Sequence, residues 1–273
     1  MFKLYLSIIE DFAFWNEWYA SQKITLAVLD ETLIGKENQL VVIRGNGNQD
    51  LGIVKGSYLI KTKYYSPCNV KSKNIEQQAA LTILGDNSIP LKILSGSAGS
   101  GKTLLASAHA IHRLDKGFCS KIVIAKSMAP VGKEIGFLKG DMKEKVLPWL
   151  GPFTDNFIHC GLPPYQLEAM IDKGTLEITP ITFIQGRSIS DAVIIIDEVQ
   201  NLDLNIVKQI ITRAADNTEI IMLGDPTQVF DRSVKEDTLT ILAERGEASP
   251  LVGHVRLVRS VRSPLAQWAV ETL

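Results

Sequence analysis

A glycine-rich segment at residues 96–103 constrains the fold of this chain more than any other feature. Its sequence, GSAGSGKT, fits the pattern G-x-x-x-x-G-K-[ST], and it lies between an apolar run at 92–95 and a helical pattern at 103–114. Strand, loop and helix thus occur in the order that a phosphate-binding loop requires. The alternative, a glycine-rich turn, is weakened by this position and by rarity, since average residue usage would produce the pattern in about one chain in a hundred of this length.

The residue types in this loop suit a triphosphate with its magnesium ion. Three glycines let the backbone curl, so that successive N–H groups and the start of the helix converge on the β-phosphate. Lys102 would reach the β- and γ-phosphate oxygens, and the Thr103 hydroxyl would ligate Mg²⁺. The predicted ATP-binding residues of the loop are Gly96, Ser97, Ala98, Gly99, Ser100, Gly101, Lys102 and Thr103.

Two adjacent carboxylates follow a second apolar run, at 193–196, about a hundred residues after the loop. Ligands of open α/β sheets bind at the carboxyl ends of the strands. Because adjacent residues of a strand point apart, we expect these two to divide the work. Asp197 is predicted to belong to the second coordination sphere of the magnesium ion. Glu198 is the predicted base that orients and activates the attacking water. A strand ending in Asp-Glu is usually a strand that meets solvent, but the preceding loop favours the functional interpretation.

A third apolar run, at 220–223, ends in the sequence GDPTQ at 224–228. The amide of Gln228 could sense the γ-phosphate from the end of a neighbouring strand. The alternative is a type I turn built on Asp225 and Pro226, a pairing that is common in such turns.

From about residue 71 onward, apolar runs alternate with helical stretches, which is typical of a parallel sheet built from βαβ units. The predicted strands cover 91–94, 121–125, 193–196, 219–223 and 254–258. Asp203 is a predicted N-cap for a helix at 204–215, and Ser263-Pro264 predicts the start of the last helix. We therefore predict that residues 71–273 form an α/β, RecA-like P-loop NTPase domain with helices on both faces of the sheet.

Residues 1–70 have a different texture, and we predict for them a small, mainly β module. Aromatic residues cluster at 12–19, and glycine-punctuated apolar runs follow, which indicates a short helix and then a small antiparallel β unit. The aromatic side chains could stack on bases, but side chains at this spacing more often form a core. The sequence assigns no chemistry to this module.

Bulk composition limits the classes of function. The chain has 29 basic and 30 acidic residues and a net charge of -1, so only a local patch could attract nucleic acid or an anionic membrane. Its three cysteines are odd in number and never spaced C-x-x-C, which favours reduced thiols in a cytosol. The apolar run at 4–9 is cut short by Glu10 and Asp11, and no run approaches the roughly 20 residues of a spanning helix. We expect a soluble, cytoplasmic protein with neither signal peptide nor membrane segment.

Seven motifs together resemble the PhoH-like family of P-loop ATPases, which is related to the superfamily-one helicases. The resemblance covers residues 72–273. Its motifs are NIEQQ at 74–78, AGSGKT at 98–103, PVGKEIGFL at 130–138, QGRS at 185–188, IDEVQN at 196–201, GDPTQ at 224–228 and RSPLA at 262–266.

The resemblance implies further site residues. Gln77 would read the adenine edge, with Asn74 beside it in the nucleotide site, whereas a glutamine at a helix start is otherwise unremarkable. Arg262 matches the family's late arginine and would stabilise charge on the transferring phosphoryl group. The alternative is that Arg262 is only a surface cation near Arg256 and Arg259. If Arg262 of each subunit reaches the nucleotide of its neighbour, the subunits form a ring. The resemblance implies that this ring is a hexamer.

The sequence departs from the family pattern at two points. Lys126-Ser127 stands where many relatives have Arg-Pro, so that a bidentate phosphate or nucleic-acid contact there is in doubt. Val199 replaces a commoner alanine, which should be harmless. Many members also carry a PIN nuclease domain, but seventy residues are too few for one, so PIN-type activity is not expected.

The resemblance implies an ATP-driven enzyme, turning ATP over to ADP, that acts on RNA or single-stranded nucleic acid in a prokaryotic cytoplasm, or in a host's if a phage encodes it. A lysine-rich stretch at 116–145 offers modest support, although a charge run is usually a solvated face. The competing class is a nucleotide-gated switch or a small-molecule kinase with a lid at 132–164. Asp197, Glu198 and Gln228 argue against a kinase, because they suit a water nucleophile. His109 and His112 could be metal ligands, but ordinary helix positions are favoured.

Overall fold

The computed structural model of the chain describes residues 4–126, 151–184, 186–228, 237–261 and 272. Three sequence features lie wholly outside the described residues: Arg262, the helix predicted to start at Ser263-Pro264, and the motif at 130–138. Residue 185, which opens the QGRS motif, lies outside them as well.

The first sheet is built within residues 5–61. Its elements are β1 (Tyr5–Ile8), α1 (Phe12–Ser21), β2 (Lys23–Thr25), α2 (Leu26–Leu29), β3 (Leu40–Gly45), β4 (Asn48–Lys55) and β5 (Tyr58–Lys61), in the strand order β1-β3-β4-β5-β2. The strands after α1 pair antiparallel, as predicted. The sequence did not predict β1, which runs parallel to β3 and makes the sheet mixed. The difference arises because β1 precedes α1, so the helix carries the chain across to the opposite edge.

The aromatic cluster of α1 forms a core, as predicted. Phe14, Trp15 and Trp18 are buried against the sheet, whereas Phe12 and Tyr19 are exposed. The indole Nε1–H of Trp18 donates to Asp50 Oδ2 at 2.9 Å, so that the polar atom of this buried ring is satisfied.

The first sheet also packs against the rest of the chain. Leu40 and Leu51 belong to the same hydrophobic core as Leu84 of the following helix. The buried Asn38 donates from Nδ2 to the carbonyls of Pro250 and Val252, at 3.1 and 2.8 Å. These contacts hold the first seventy residues against the main sheet. The proposed division of the chain at residue 70 stays a prediction.

The main sheet consists of parallel strands. These are β6 (Leu91–Gly96), β7 (Lys121–Lys126), β8 (Leu176–Pro180), β9 (Ala192–Asp197), β10 (Thr218–Gly224) and β11 (Val252–Leu257), in the order β11-β6-β10-β9-β7-β8. Every neighbouring pair is parallel, which confirms the predicted sheet. The central strands are buried on both faces, which explains their continuous apolar runs.

Helices cover both faces of this sheet, as predicted. Alternate strand residues, such as Ile194 and Ile195, enter separate cores on the two faces. One face holds α3 (Ile75–Gly85), α4 (Lys102–Asp115), α5 (Gly151–His159) and α6 (Pro164–Asp172); the other holds α7 (Ile181–Ile184), α8 (Leu204–Ile211) and α9 (Thr238–Gly246). Among the described residues, no helix combines the length and apolarity needed to cross a bilayer.

Two details differ from the sequence prediction. Strand β8 was not predicted, because at the edge of the sheet its burial is intermittent and its sequence lacks a continuous apolar run. The helix predicted at 204–215 ends at Ile211, so its predicted end was wrong. The helix ends there because the backbone after Ile211 forms hydrogen bonds with Ile189 instead. The Ala215 N–H donates to the Ile189 carbonyl at 2.8 Å, and the Ile189 N–H donates to the Arg213 carbonyl at 2.9 Å.

A buried ionic cluster joins α4 to the sheet. Glu219 of β10 forms a salt bridge with Lys92 of β6 at 2.8 Å and contacts Nε2 of His109 in α4. Burial lowers the pKa of His109, so its ring is neutral, donates from Nε2 to the carboxylate and accepts at Nδ1 from the Tyr65 hydroxyl at 2.8 Å. Burial alone would raise the pKa of Glu219, but His109 and Lys92 outweigh it and hold that pKa at about 2. Within the described part of the chain, no three metal-ligating side chains form a metal site.

Candidate nucleotide site

The phosphate-loop sequence adopts a backbone that requires glycine at several positions. Gly96, Gly99 and Gly101 have φ values of 139°, 78° and 98°, in the region that disfavours other residues. A Cβ on Gly96 would lie 1.9 Å from the Leu257 carbonyl oxygen. A Cβ on Gly101 would lie 2.8 Å from the Gln77 amide nitrogen. The glycines therefore allow both the turn and its close approach to β11 and α3.

Lys102 begins α4, with Gly101 as the N-cap. Its Nζ donates to the Gly96 and Ser97 carbonyls, the latter at 2.9 Å, so the ammonium group lies across the loop. The following Thr103 sits in the first helical turn. The positive end of the helix dipole and the lysine thus favour an anion at the same place.

The carboxyl ends of β6, β7, β9 and β10 surround one pocket of about 370 Å³. The predicted site residues that line it are Ala98, Gly99, Gly101, Lys102, Thr103, Asp197, Glu198 and Gln228. The predicted residues that do not line it are Asn74, Gln77, Gly96, Ser97 and Ser100. Arg262 is outside the described residues. Residues more than a hundred positions apart therefore meet at the edge where the sheet was expected to bind its ligand.

Asp197 and Glu198 both face this pocket. Strand β9 ends at Asp197, and Glu198 adopts a left-handed backbone with φ of 57°. The expected strand alternation therefore does not apply to this pair, because the second residue has left the strand. A non-glycine residue in this conformation stores backbone strain, which concentrates at functional sites.

The negative charge of Asp197 and Glu198 is only partly balanced by nearby lysines. Burial and the neighbouring Glu198 carboxylate raise the pKa of Asp197, and Lys126 and Lys102 only partly oppose them. The carboxyl group is thus placed where an additional cation would be stabilised.

Gln200 connects the two strand ends, a role that sequence reasoning did not find. Its buried amide donates to Glu198 Oε2 at 2.7 Å and accepts from the Asp225 N–H at 3.1 Å. Gly224 permits this approach, since a Cβ there would lie 2.3 Å from Gln200 Oε1. Gln200 stands in the IDEVQN motif, but only the fold shows that its amide holds Glu198.

The segment after β10 forms the turn that its sequence allowed. The Gln228 N–H donates to the Asp225 carbonyl at 2.9 Å, which closes a turn, and Asp225 Oδ1 accepts from the Thr227 N–H at 3.0 Å. The same turn places Gln228 in the lining of the pocket. Its role as a γ-phosphate sensor stays a prediction.

Lys126 and Asn156 also line the pocket and were not predicted as site residues. Lys126 ends β7, directly opposite Asp197 in the parallel register, so it brings a second cation to the carboxylates. In the sequence it stood out only as a departure from the family's Arg-Pro. Asn156 comes from α5 and gives no local signal, since its position depends on how α5 packs against α4.

Gln77 holds the phosphate loop from outside the pocket, and Asn74 holds the helix turn that carries Gln77. The Gln77 amide donates to the Ser100 carbonyl at 2.9 Å and accepts from the Lys73 N–H at 2.8 Å. Asn74 caps α3 by accepting from the Gln77 N–H at 2.9 Å. The predicted adenine contact stays a prediction, and Gln77 would have to exchange one of these hydrogen bonds to make it.

The chain just after β11 is held on the same loop. Glu76 Oε2 accepts from the N–H groups of Val258 and Arg259, at 2.7 and 2.9 Å, and the Val261 N–H donates to the Gly99 carbonyl at 3.0 Å. The last described segment before Arg262 therefore contacts the phosphate loop.

The pocket fits a magnesium ion better than a metal that requires a full protein cage. Mg²⁺ binds through one or two side-chain oxygens and completes its shell with water and substrate phosphates. Thr103 and Asp197 line the same pocket, and the raised pKa of Asp197 marks a position short of positive charge. The described residues hold no set of three ligating side chains, which this mode of binding does not need.

Comparison with known proteins identifies the family. A family profile described as "PhoH-like protein" matches residues 69–273. Protein PhoH2 of Bacillus subtilis is 40% identical over 210 residues, which cover 75% of this chain and 48% of that protein. A PhoH-like protein of the same organism is 34% identical over 213 residues, 77% of this chain and 66% of that protein. The chain thus spans about half the length of the PhoH2 proteins that it matches.

Among solved structures, the large terminase of a thermophilic bacteriophage overlaps 74% of this chain and 50% of its own, at a TM-score of 0.42 and 14% identity. This likeness carries no functional weight. The family profile covers three quarters of the chain and includes the phosphate loop and the ends of β9 and β10. The chain therefore belongs to the PhoH family, and its main sheet has the P-loop NTPase fold.

Proposed function

We propose that this protein hydrolyses ATP in the presence of magnesium. The observation that supports this most directly is one pocket lined by the start of α4 and by two strand ends. Its residues are Lys102, Thr103, Asp197, Glu198 and Gln228. A loop that cradles phosphates is common to kinases, switches and hydrolases. A carboxylate positioned for a water molecule favours a hydrolase among these.

Each residue has a distinct part in the proposed reaction. The amides of the loop and the start of α4 hold the β-phosphate, while Lys102 exchanges its loop carbonyls for phosphate oxygens. Glu198, oriented by Gln200, orients the attacking water and accepts its proton. Gln228, which lines the same pocket, would contact the γ-phosphoryl group or that water. We assign to Arg262 the stabilisation of charge on the transferring group.

Thr103 and Asp197 are the residues that would hold Mg²⁺, which when bound neutralises charge on the phosphate oxygens. Lys126 faces the same carboxylates from β7, so we add it to the proposed site as a cation that limits repulsion between Asp197 and Glu198.

We further propose that ATP turnover acts on RNA or single-stranded nucleic acid, in a cytoplasmic homo-oligomeric ring, with a hexamer as the first candidate. Family membership is the main support. The lysine-rich stretch at 116–145 provides a local basic bias in a chain of net charge -1. A ring would let Arg262 of each subunit act on its neighbour's nucleotide.

The test is steady-state ATP hydrolysis, with and without magnesium, measured alone and with RNA, single-stranded DNA or duplex. We expect magnesium-dependent turnover and at least a severalfold stimulation by one single-stranded polymer. Turnover that ignores all three polymers would contradict the nucleic-acid proposal. Binding of ATP without turnover would instead favour a switch.

A matched pair of variants isolates the loop. Lys102→Ala should weaken binding of a fluorescent ATP analogue by about tenfold or more, because it removes a charge-assisted phosphate contact. Lys208→Ala, on the exposed side of α8, should bind as the wild type does. Equal affinity of both variants would overturn the assignment of the loop.

A further inference from the structure

The chain that follows β11 lies along the phosphate loop, and we call residues 258–261 the β11 extension. The regular pairing of β11 with β6 ends where the extension begins. Beyond that point the extension makes hydrogen bonds with the loop. The Ser97 hydroxyl donates to the Val258 carbonyl at 3.2 Å, and the Val261 N–H donates to the Gly99 carbonyl at 3.0 Å. The extension therefore holds the loop near both of its own ends.

Glu76, in the first turn of α3, holds the start of this extension. Its Oε2 atom accepts from the N–H groups of Val258 and Arg259, at 2.7 and 2.9 Å. Hydrogen bonds to a carboxylate are stronger than those between neutral groups. The helix does not need this side chain as its cap, because Asn74 already caps α3 by accepting from the Gln77 N–H. The carboxylate of Glu76 therefore joins two elements of the fold instead of closing the end of its own helix.

Gln77, the next residue of α3, holds the loop directly. Its amide donates to the Ser100 carbonyl at 2.9 Å. Glu76 acts on the preceding peptide through the extension, whose Val261 N–H donates to the Gly99 carbonyl. The carbonyl and the N–H of a trans peptide point in opposite directions. Two consecutive carbonyls of the loop are therefore held in place, and this fixes the direction of the N–H group that follows each of them.

We propose that Glu76 is a positioning residue of the nucleotide site. It fixes the β11 extension, and the extension keeps the phosphate loop in the conformation in which its N–H groups receive phosphate. This role rests on the proposed function of the pocket, to which it adds a side chain that does not line the pocket. Without Glu76, a bound triphosphate would have to order the loop itself, and that ordering would weaken binding. Turnover of the bound complex would change little, because the phosphates then hold the loop.

The test separates the reach of the Glu76 side chain from its charge. Glu76→Asp keeps a carboxylate in the first turn of α3 but is one methylene shorter, so it should lose both hydrogen bonds to the extension. We expect it to bind the fluorescent ATP analogue about fivefold more weakly, the scale expected when hydrogen bonds that preorganise a site are lost. Glu76→Gln keeps the length and an oxygen acceptor, so it should bind within about twofold of the wild type. The reverse order of the two variants would show that Glu76 acts only through the charge that it places at the start of α3, and would overturn the proposal.

Two further measurements distinguish positioning from a general effect on folding. The KM for ATP should rise in Glu76→Asp while kcat changes less than about twofold, whereas a smaller folded fraction would lower the apparent kcat. The amides of Val258 and Arg259 should exchange with deuterium at least about tenfold faster in Glu76→Asp than in the wild type, because their acceptor is withdrawn. Unchanged exchange would contradict the proposal. Glu168→Asp, exposed on α6, is the matched control and should change none of these quantities.

Ser97→Ala tests the same link from the side of the loop. It removes the hydroxyl that donates to the Val258 carbonyl but leaves the backbone of the loop in place, so binding should weaken by about threefold. Combined with Glu76→Asp, it should weaken binding by less than the product of the two separate losses, because both changes act through the extension. Independent losses, or equal affinity of Glu76→Asp and the wild type, would overturn the role of Glu76. A wild type that binds no ATP analogue would instead contradict the proposed function.

Discussion

The buried ionic cluster is built on three elements, β6, β10 and α4, that also contribute to the nucleotide pocket. Strand β6 brings Lys92 to the cluster and ends in the phosphate loop, β10 begins near Glu219 and ends near Asp225, and α4 carries both Lys102 and His109. In the cluster, cation and hydrogen-bond donor lower the pKa of the carboxylate to about 2. In the pocket, burial and a second carboxylate raise the pKa of Asp197.

The comparison shows how one scaffold separates stability from function. The cluster balances its own charges and excludes water, so it anchors α4 without needing a ligand. The pocket leaves its carboxylates short of positive charge, which destabilises the fold but favours a ligand that supplies cations. The same acid-to-amide change should therefore have opposite consequences at the two sites.

The largest expected effect is on turnover in the pocket. Glu198→Gln keeps the size of the side chain but removes the base, so kcat for ATP should fall by about a thousandfold, within the range for loss of a general base. Binding of the fluorescent ATP analogue should change less than about threefold. Glu168→Gln on the exposed face of α6 is the control. Normal hydrolysis by Glu198→Gln would remove this residue as the base.

In the cluster, Glu219→Gln should unfold more easily while nucleotide affinity of the folded protein is unchanged. The variant leaves Lys92 buried without its counter-charge, and breaking such a pair costs about 3–5 kcal/mol. Urea denaturation measures the loss. Glu247→Gln breaks the exposed pair with Lys36, whose side chains are 40% and 42% exposed, and should cost no more than about 0.5 kcal/mol.

Acid should reveal the same interaction in the wild type. Because the pKa of Glu219 falls from 4.5 to about 2 on folding, the unfolded chain binds the proton more readily. This stabilisation is fully present above pH 4.5 and declines as the pH falls towards 2, with about 2 kcal/mol lost by pH 3. Unfolding in urea at pH 6 and pH 3 should show a smaller decline for Glu219→Gln than for the wild type. Equal declines would contradict the lowered pKa.

Gln200→Ala tests the bridge between the two strand ends. It removes the donor that orients Glu198, so kcat should fall by about tenfold while KM for ATP changes little. A structural role alone would lower the yield of folded protein without changing kcat per active site. Gln209→Ala, exposed on α8, serves as the control. An unchanged kcat in Gln200→Ala would show that Glu198 is oriented without this amide.

The smallest of these effects on stability, in a variant of the pocket, has the opposite sign to that of Glu219→Gln. Asp197→Asn should increase the free energy of unfolding by about 0.5–2 kcal/mol, as is usual when active-site strain is relieved, while it abolishes most magnesium-dependent turnover. The raised pKa of Asp197 means that its charged form is less stable in the folded protein, so removing the charge favours folding. Asp216→Asn, on an exposed turn, should leave both quantities unchanged. A destabilised Asp197→Asn protein would contradict the comparison between the two sites.

Local patterns predicted the main sheet well because each central strand is apolar on both faces and each loop residue type has a steric reason. The run at 193–196 became β9, and the glycines at 96, 99 and 101 adopt the conformations that the motif requires. Edge strand β8 was missed because it has no continuous apolar run. Strand β1 was missed although it lies within the apolar run at 4–9, because that run was considered only as a signal peptide or membrane segment. The end of α8 was missed because Ile189, a residue distant in sequence, decides it.

The sequence by itself determined the phosphate loop, the two carboxylates after β9 and the family, because these depend on residue type and on spacing along the chain. Only the tertiary structure decided that Glu198 turns towards the pocket, that Gln200 joins it to the end of β10, and that Lys126 and Asn156 complete the lining. It likewise paired Lys92 with Glu219. The physical reason is the same in each case: hydrogen bonds, burial and charge act across space, between residues that no local pattern brings together.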